Sequence, residues 1–179
     1  MSTAEMMREW PTKFMRIAGL ELSLRILIGA GIVWLIASRF AHHDPLWGMI
    51  SVVIVSDTEL NAALTAFRGR VLNTLIGCAI GLLALYAMGP QSWSILVAMS
   101  VAVLVSSNFV LTVPAWRIAP VSVVIVMMPG LLIGSRTAGT PVALTRTIWV
   151  LVGSAVAVLV ALLFAFVKRF RGEVPQSVD

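Results

Sequence analysis

The chain has 179 residues, of which 59% are hydrophobic and only 12% are charged. This composition excludes a soluble domain, because six long apolar stretches would leave too little polar surface to solvate one core. The formal net charge is +5, but no basic cluster with interleaved aromatic residues indicates nucleic-acid binding. The composition therefore predicts an all-α integral membrane protein whose main partner is the lipid bilayer.

The N-terminal segment, residues 1–16, mixes Met, Trp and Phe side chains with three basic residues. This composition is typical of an amphipathic helix that lies at a membrane surface, although a frayed tail is the alternative. Its charges extend too far for a signal peptide. In the first span, at about 17–38, Glu21 and Arg25 lie four residues apart and can form an ion pair near the headgroups.

A polar loop with His42, His43 and Asp44 follows the first span. Histidine and aspartate bind metals, but adjacent histidines in a loop are usually just solvated, so we predict no metal site and no cofactor. The next apolar segment, 47–56, is short, since about ten to twelve helical residues cover only about half of a ~30 Å hydrocarbon core. Such helices are tolerated where they are buried in protein or line an aqueous cavity.

Two parts of the chain resemble each other in sequence. The pentapeptide Ser-Val-Val-Ile-Val begins at Ser51 and again at Ser122, 71 residues later. Arg70, at the head of a long apolar segment, recurs as Arg146, 76 residues later. The matching order predicts two related halves. These halves and the short basic tail after them cover about 17–88, 92–168 and 169–179.

The long apolar segment of each half also carries two small residues four positions apart. Gly77 and Gly81 in the first half correspond to Gly153 and Ala157 in the second. Small residues at this spacing allow two helices to approach closely, so their predicted role is helix packing.

The predicted topology has six transmembrane segments, of which the second and fifth are short or broken. The break in the fifth is expected at Pro129 and Gly130. Both termini then lie on one side, which receives nine cationic residues against three and is assigned to the cytoplasm of a cell with an inner membrane. Three segments per half is an odd number, so the halves have opposite orientations, as in inverted-repeat transporters. The segments cover about 17–38, 47–56, 69–88, 92–110, 119–133 and 145–168.

The residues around the first short helix carry a family resemblance. A helix led by Trp47 and a polar connector precede Arg70-x-x-Asn73-Thr74-x-x-Gly77. This pattern resembles the fusaric acid resistance and aromatic acid exporter superfamily, to which the plant aluminium-activated malate transporters are related. Members typically have glycine where this chain has Asn73. Larger members look duplicated and carry a cytosolic domain, so the resemblance implies that this single six-helix block works as a homo-oligomer, a dimer.

Ionisable residues inside a bilayer are candidates for function, because each costs roughly 2.5–3.5 kcal/mol to insert. Arg70 and Arg146 are predicted to open corresponding helices, whose N-termini would add positive potential, and arginine binds carboxylates bidentately. They predict an anion pathway; the alternative is that both reach lipid headgroups. Ser and Thr hydroxyls can join such a path or bond their own backbone. The side chains predicted to line the path are Ser51, Asn73, Thr74 and Ser122.

Two acidic residues, Asp57 and Glu59, follow the first short helix and have no counterparts in the second half. This asymmetry predicts proton coupling, in which an acid titrates against the anion. The alternative is a solvated turn in which the acids pair locally with Arg68 or Arg70.

Other residues are predicted to have structural roles only. The single cysteine, Cys78, lies in an apolar segment, cannot form an internal disulfide and fills space. Tryptophans near the predicted interfaces anchor the protein in the membrane. These tryptophans are Trp10, Trp47, Trp93 and Trp116.

The sequence contains no motif that indicates an enzyme, neither a zinc-protease helix, a nucleophile elbow nor paired carboxylates inside a span. The leading hypothesis is transport of organic anions, with aromatic carboxylates leaving the cytoplasm. A passive anion channel of the malate-channel type is one alternative. A non-transporting membrane subunit of an efflux or envelope assembly is the other.

Overall fold

A computed structural model describes residues 3–39, 45–109 and 116–170, with side chains from residue 18 onward. The loop of His42, His43 and Asp44 and nearly all of the basic tail therefore lie outside the described residues. Within them the chain is entirely helical, without strands. The six helices are α1 (Thr3–Arg39), α2 (Leu46–Val55), α3 (Leu60–Met88), α4 (Ser92–Phe109), α5 (Ile118–Ile133) and α6 (Gly139–Phe170).

Four of these helices are long and apolar enough to cross a membrane, namely α1 from Ala18 onward, α3, α4 and α6. The second and fifth helices are short, as predicted. The ten residues of α2 span only about 15 Å at 1.5 Å per residue. The all-helical plan with two short helices is therefore confirmed.

The fifth helix is not broken at Pro129 and Gly130, and this part of the prediction was wrong. Helix α5 continues through Pro129 and ends at Ile133. A proline in a membrane helix removes one backbone hydrogen bond, which neighbouring groups can compensate. The helix ends instead at Gly134, whose φ of 66° is the left-handed conformation that glycine adopts without steric cost.

The long helices of both halves begin earlier than predicted. Helix α3 begins at Leu60 rather than near residue 69, and α6 begins at Gly139 rather than near residue 145. Arg70 and Arg146 therefore lie inside their helices, and the N-termini of these helices do not point at them. Helix α1 also runs without interruption across the boundary predicted after residue 16, and a surface-lying N-terminal segment stays a prediction.

The packing of the helices is reciprocal between the halves. The long helix α3 packs mainly against α5 and α6, and the long helix α6 packs mainly against α3 and α2. Each long helix thus makes more contact with the short helix of the other half than with its own. Helices α1 and α4 lie at the periphery, where α1 contacts α2 and α6 while α4 contacts α5 and α3.

Small residues allow each long helix to pack closely against the short helix of the other half. A Cβ atom on Gly153 would overlap the backbone of Gly48 in α2, and one on Gly77 would overlap the carbonyl group of Ala119 in α5. Gly48 and Ala119 each lie three residues before the serine of the repeated pentapeptide. The two close approaches therefore occur at matching places. Two further small residues lie near these crossings: Gly81, which faces Val123 and Val126, and Ala157, which is buried.

Candidate anion-binding site

Arg70 lies in the interior and contacts the repeated pentapeptide of its own half. Its exposed fraction is 4%, and its Nε donates a long hydrogen bond of 3.4 Å to Ser51 Oγ. The Ser51 hydroxyl donates its own proton to the carbonyl oxygen of Trp47, at 2.7 Å. Because that proton is committed to the backbone, the serine oxygen offers its lone pairs to the guanidinium.

The second half repeats this arrangement. Arg146 is 1% exposed, and its Nη2 donates a hydrogen bond of 3.2 Å to Ser122 Oγ. The Ser122 hydroxyl in turn donates to the carbonyl oxygen of Ile118, at 3.0 Å. Both serines thus bond their own backbone, which was one of the two predicted roles, and also bond an arginine. Their place on an anion path stays a prediction.

The two guanidinium groups are buried near each other without a counter-ion. Arg70 contacts Ser51 and Arg146 contacts Trp47, one turn earlier on α2, and within the described part of the chain neither arginine forms an ion pair with a carboxylate. Arg146 also keeps Nε and Nη1 without hydrogen-bond partners. Unpaired buried cations are costly, and an anion between them would remove that cost.

An unpartnered hydroxyl lies on the same face of α3 as Arg70. Arg70, Thr74 and Cys78 are spaced four residues apart on this face. Thr74 occupies the middle of this face, where its Oγ1 is buried and has no hydrogen-bond partner. Arginine and hydroxyl donors on one stripe form a suitable set of donors for an anion.

Trp47 contacts Arg146, whereas the sequence predicted only a role as an interface anchor. Its ring centroid lies 4.0 Å from the guanidinium carbon of Arg146, a cation–π contact. The corresponding residue of the second half, 71 positions later, is Ile118, so Arg70 has no matching aromatic partner there. Trp93, by contrast, is 52% exposed, as expected of an interface residue.

A family model described as fusaric acid resistance protein-like matches residues 32–160. The chain belongs to this family. The match includes both arginines and both copies of the pentapeptide. No curated protein and no solved structure gives a significant match.

Membership assigns this fusaric acid resistance protein-like chain to a class of membrane transport and efflux proteins. Together with four helices long enough to cross a bilayer, the family shows that the protein is a multi-pass membrane protein. Arg70 and Arg146 are therefore buried arginines of a membrane transport protein.

Asn73, which replaces the glycine typical of the family motif, connects two helices. Its Nδ2 donates to the carbonyl oxygen of Gly69 at 2.7 Å, and its Oδ1 accepts a hydrogen bond from the Ser106 hydroxyl of α4. Both ends of the amide are thus occupied, so Asn73 stabilises the α3–α4 contact in this conformation. The sequence alone does not indicate that Asn73 pairs with a residue of α4.

The two acidic residues of the α2–α3 connector do not contact the arginines of the site. Asp57 Oδ1 accepts a hydrogen bond of 3.0 Å from the backbone N–H of Glu59. Neither carboxylate pairs with Arg68 or Arg70 among the described residues. The same residues hold no group of three or more potential metal ligands.

Proposed function

We propose that the protein moves organic anions across a cell inner membrane and that aromatic carboxylates leaving the cytoplasm are its substrates. The observation that carries the proposal is the pair of buried arginines, Arg70 and Arg146. They come from equivalent positions of the two halves, and neither pairs with a carboxylate of the described residues. A carboxylate between them would accept bidentate hydrogen bonds from guanidinium groups. Thr74 would add a hydroxyl donor from the same face of α3 as Arg70.

The proposal includes an inverted-repeat architecture with both termini in the cytoplasm. The reciprocal packing of each long helix against the opposite short helix supports this arrangement, as does the recurrence of the arginine–serine pair. In inverted-repeat transporters the substrate site lies where the repeats meet, near the bilayer midplane. The proposal includes a homodimer, as the family resemblance implies.

The contacts suggest how a conformational change would alter the binding of the anion. Ser51 and Ser122 lie on the short helices, whereas Arg70 and Arg146 lie on the long ones. Each short helix packs against the long helix of the other half. A movement of one half against the other would therefore leave each arginine–serine pair intact, because both members belong to one half, and would change the contact between Trp47 and Arg146 and the separation of the two arginines.

The direct test is benzoate flux into proteoliposomes that contain the purified protein, compared with protein-free vesicles at two pH gradients. Flux that follows the pH gradient indicates a proton-coupled exporter. Flux that follows only the benzoate gradient and the membrane potential indicates a passive channel. Absence of flux for benzoate and for malate, with folded and intact oligomers, would overturn the proposal and favour a non-transporting subunit.

Removing either serine hydroxyl is expected to weaken transport moderately. Ser51→Ala and Ser122→Ala each delete the acceptor that orients an arginine, worth about 1 kcal/mol, or roughly fivefold in apparent affinity. The measurement is the half-saturation concentration for benzoate flux. Ser100→Ala is the matched control, because its hydroxyl bonds only the Leu96 carbonyl on an exposed face of α4. Equal effects of all three substitutions would contradict the assigned role.

Proton coupling through the acidic connector gives a separate prediction. If the Asp57 carboxylate carries the coupled proton, Asp57→Asn removes the dependence of benzoate flux on the pH gradient and leaves flux down the benzoate gradient. The measurement is flux at equal benzoate gradients with and without a pH difference. A variant that still follows the pH gradient excludes Asp57, and Glu59→Gln then tests the other acid.

A further inference from the structure

A second charged cluster joins α1 to the C-terminal end of α6. Arg25 Nη2 donates to Glu21 Oε1, which confirms the ion pair predicted from their spacing. The other oxygen of the same carboxylate, Glu21 Oε2, pairs with Lys168 Nζ at 2.8 Å. One carboxylate thus lies between two cations, and the cluster carries a net positive charge.

Arg25 also holds the connector between α2 and α3. Its Nη1 donates to the backbone carbonyl oxygen of Asp57 at 2.5 Å, and its guanidinium carbon lies 4.8 Å from the ring centroid of Phe164 in α6. Its Nε is buried without a hydrogen-bond partner. The cluster therefore fixes three elements together and still has an unused donor.

The cluster extends from the protein surface to the connector that follows α2, the helix whose Ser51 contacts Arg70. The side-chain exposed fraction is 40% for Lys168, 19% for Glu21 and 3% for Arg25, so the cations lead from the surface inward. Asp57, whose carbonyl Arg25 binds, lies six residues after Ser51, which contacts Arg70. On a pathway that passes this connector, an anion would meet Lys168 and Arg25 before Arg70.

We propose that Arg25 and Lys168 form an outer anion site on the transport pathway, which the Glu21 carboxylate occupies while the pathway is closed. This inference rests on the proposed function. An incoming carboxylate has the same charge and the same acceptor oxygens as the Glu21 side chain, so it can replace that side chain without leaving either cation unpaired. Displacement of Glu21 also releases the link between α1 and α6 beside the connector.

The other end of the bundle lacks such a carboxylate among the described residues. There the loop before α6 is held by Arg136 Nη1, which donates to the Tyr86 carbonyl oxygen at 3.2 Å, and by a hydrogen bond of 2.9 Å between the Tyr86 and Thr140 hydroxyls. These acceptors are neutral. The displaceable carboxylate therefore distinguishes one entrance of the pathway from the other.

The test is the half-saturation concentration for benzoate flux in proteoliposomes. Glu21→Gln removes the competing charge and is expected to lower this concentration by about 3- to 10-fold, while Lys168→Gln removes an attracting cation and raises it by a similar factor. Glu21→Asp keeps a carboxylate and should behave nearly as the wild type. Glu173→Gln makes the same charge change in the C-terminal tail and serves as the control.

The outcomes separate this inference from the proposed function. If the wild-type protein transports no anion, the proposed function fails first. If the wild type transports benzoate but Glu21→Gln leaves the half-saturation concentration unchanged, or raises it as in a purely structural ion pair, the outer site is refuted. Should Glu21→Gln fail to fold, an unchanged concentration for folded Lys168→Gln refutes it instead.

Discussion

Arg146→Met is expected to reduce benzoate flux by about 30-fold or more, because losing a buried charged contact costs about 2–5 kcal/mol. The expected loss of flux is larger for Arg146 than for Arg70, because two of the donors of Arg146 lack partners. An anion in the site would be the natural acceptor for both. The measurement is initial benzoate flux in proteoliposomes at matched protein density.

The same substitution is expected to leave the protein folded and as stable as the wild type, or more so. An unpaired buried charge is costly, and replacing even a paired one, together with its partner, by apolar side chains is often neutral or stabilising by about 1–4 kcal/mol. The methionine sulfur can also pack against the ring of Trp47, which Arg146 contacts in the wild type. Thermal unfolding in detergent checks this expectation.

Loss of transport together with retained stability would identify Arg146 as a functional residue rather than a structural one. Arg68→Met is the matched control, because it makes the same exchange at an exposed position of α3 and should keep flux within about twofold of wild type. Wild-type flux in Arg146→Met would contradict the proposed site. A large loss of stability would indicate that the arginine mainly holds the helices together.

Gly153→Ala is expected to give the largest loss of stability among single small substitutions, about 2–3 kcal/mol. The added methyl group would overlap the backbone of Gly48. A backbone atom cannot move aside as the end of a flexible side chain can, so α6 and α2 must separate. The measurement is the midpoint of thermal or denaturant unfolding in detergent.

Gly31→Ala is the matched control for this prediction. A Cβ atom at Gly31 meets nothing within 4 Å, and alanine in a helix interior is favoured over glycine by roughly 0.5–1 kcal/mol. We therefore expect Gly31→Ala to be neutral or slightly stabilising. Equal unfolding midpoints for Gly153→Ala and Gly31→Ala would contradict the close α2–α6 contact.

The number of helices and the shortness of α2 and α5 could be predicted from the sequence, because apolar run length determines whether a helix can cross a bilayer. The starts of α3 and α6 could not be predicted this way. The apolar run headed by Arg70 predicts a helix that begins near residue 69. The moderately polar stretch from Leu60 is also helical, so α3 begins one residue after Glu59. Hydropathy measures lipid exposure, whereas backbone hydrogen bonding determines where a helix begins.

The candidate site was only partly predictable. The repeat pointed to Arg70 and Arg146, because a costly buried charge at equivalent positions has few structural explanations. The contact between Trp47 and Arg146 joins residues on different halves and leaves no local spacing signal. The ion pair between Lys168 and Glu21 also joins distant parts of the chain and leaves no local spacing signal. The Glu21–Arg25 pair, by contrast, follows from helical periodicity alone.

The central claim is that one anion binds to both arginines, and a double-mutant cycle on benzoate flux tests it most directly. The four proteins are the wild type, Arg70→Met, Arg146→Met and the double variant, each with its unfolding midpoint measured. If one anion needs both groups, each single substitution removes most of the flux, and the double variant loses little more. Two independent, additive effects, or wild-type flux in either folded single variant, would contradict a shared site.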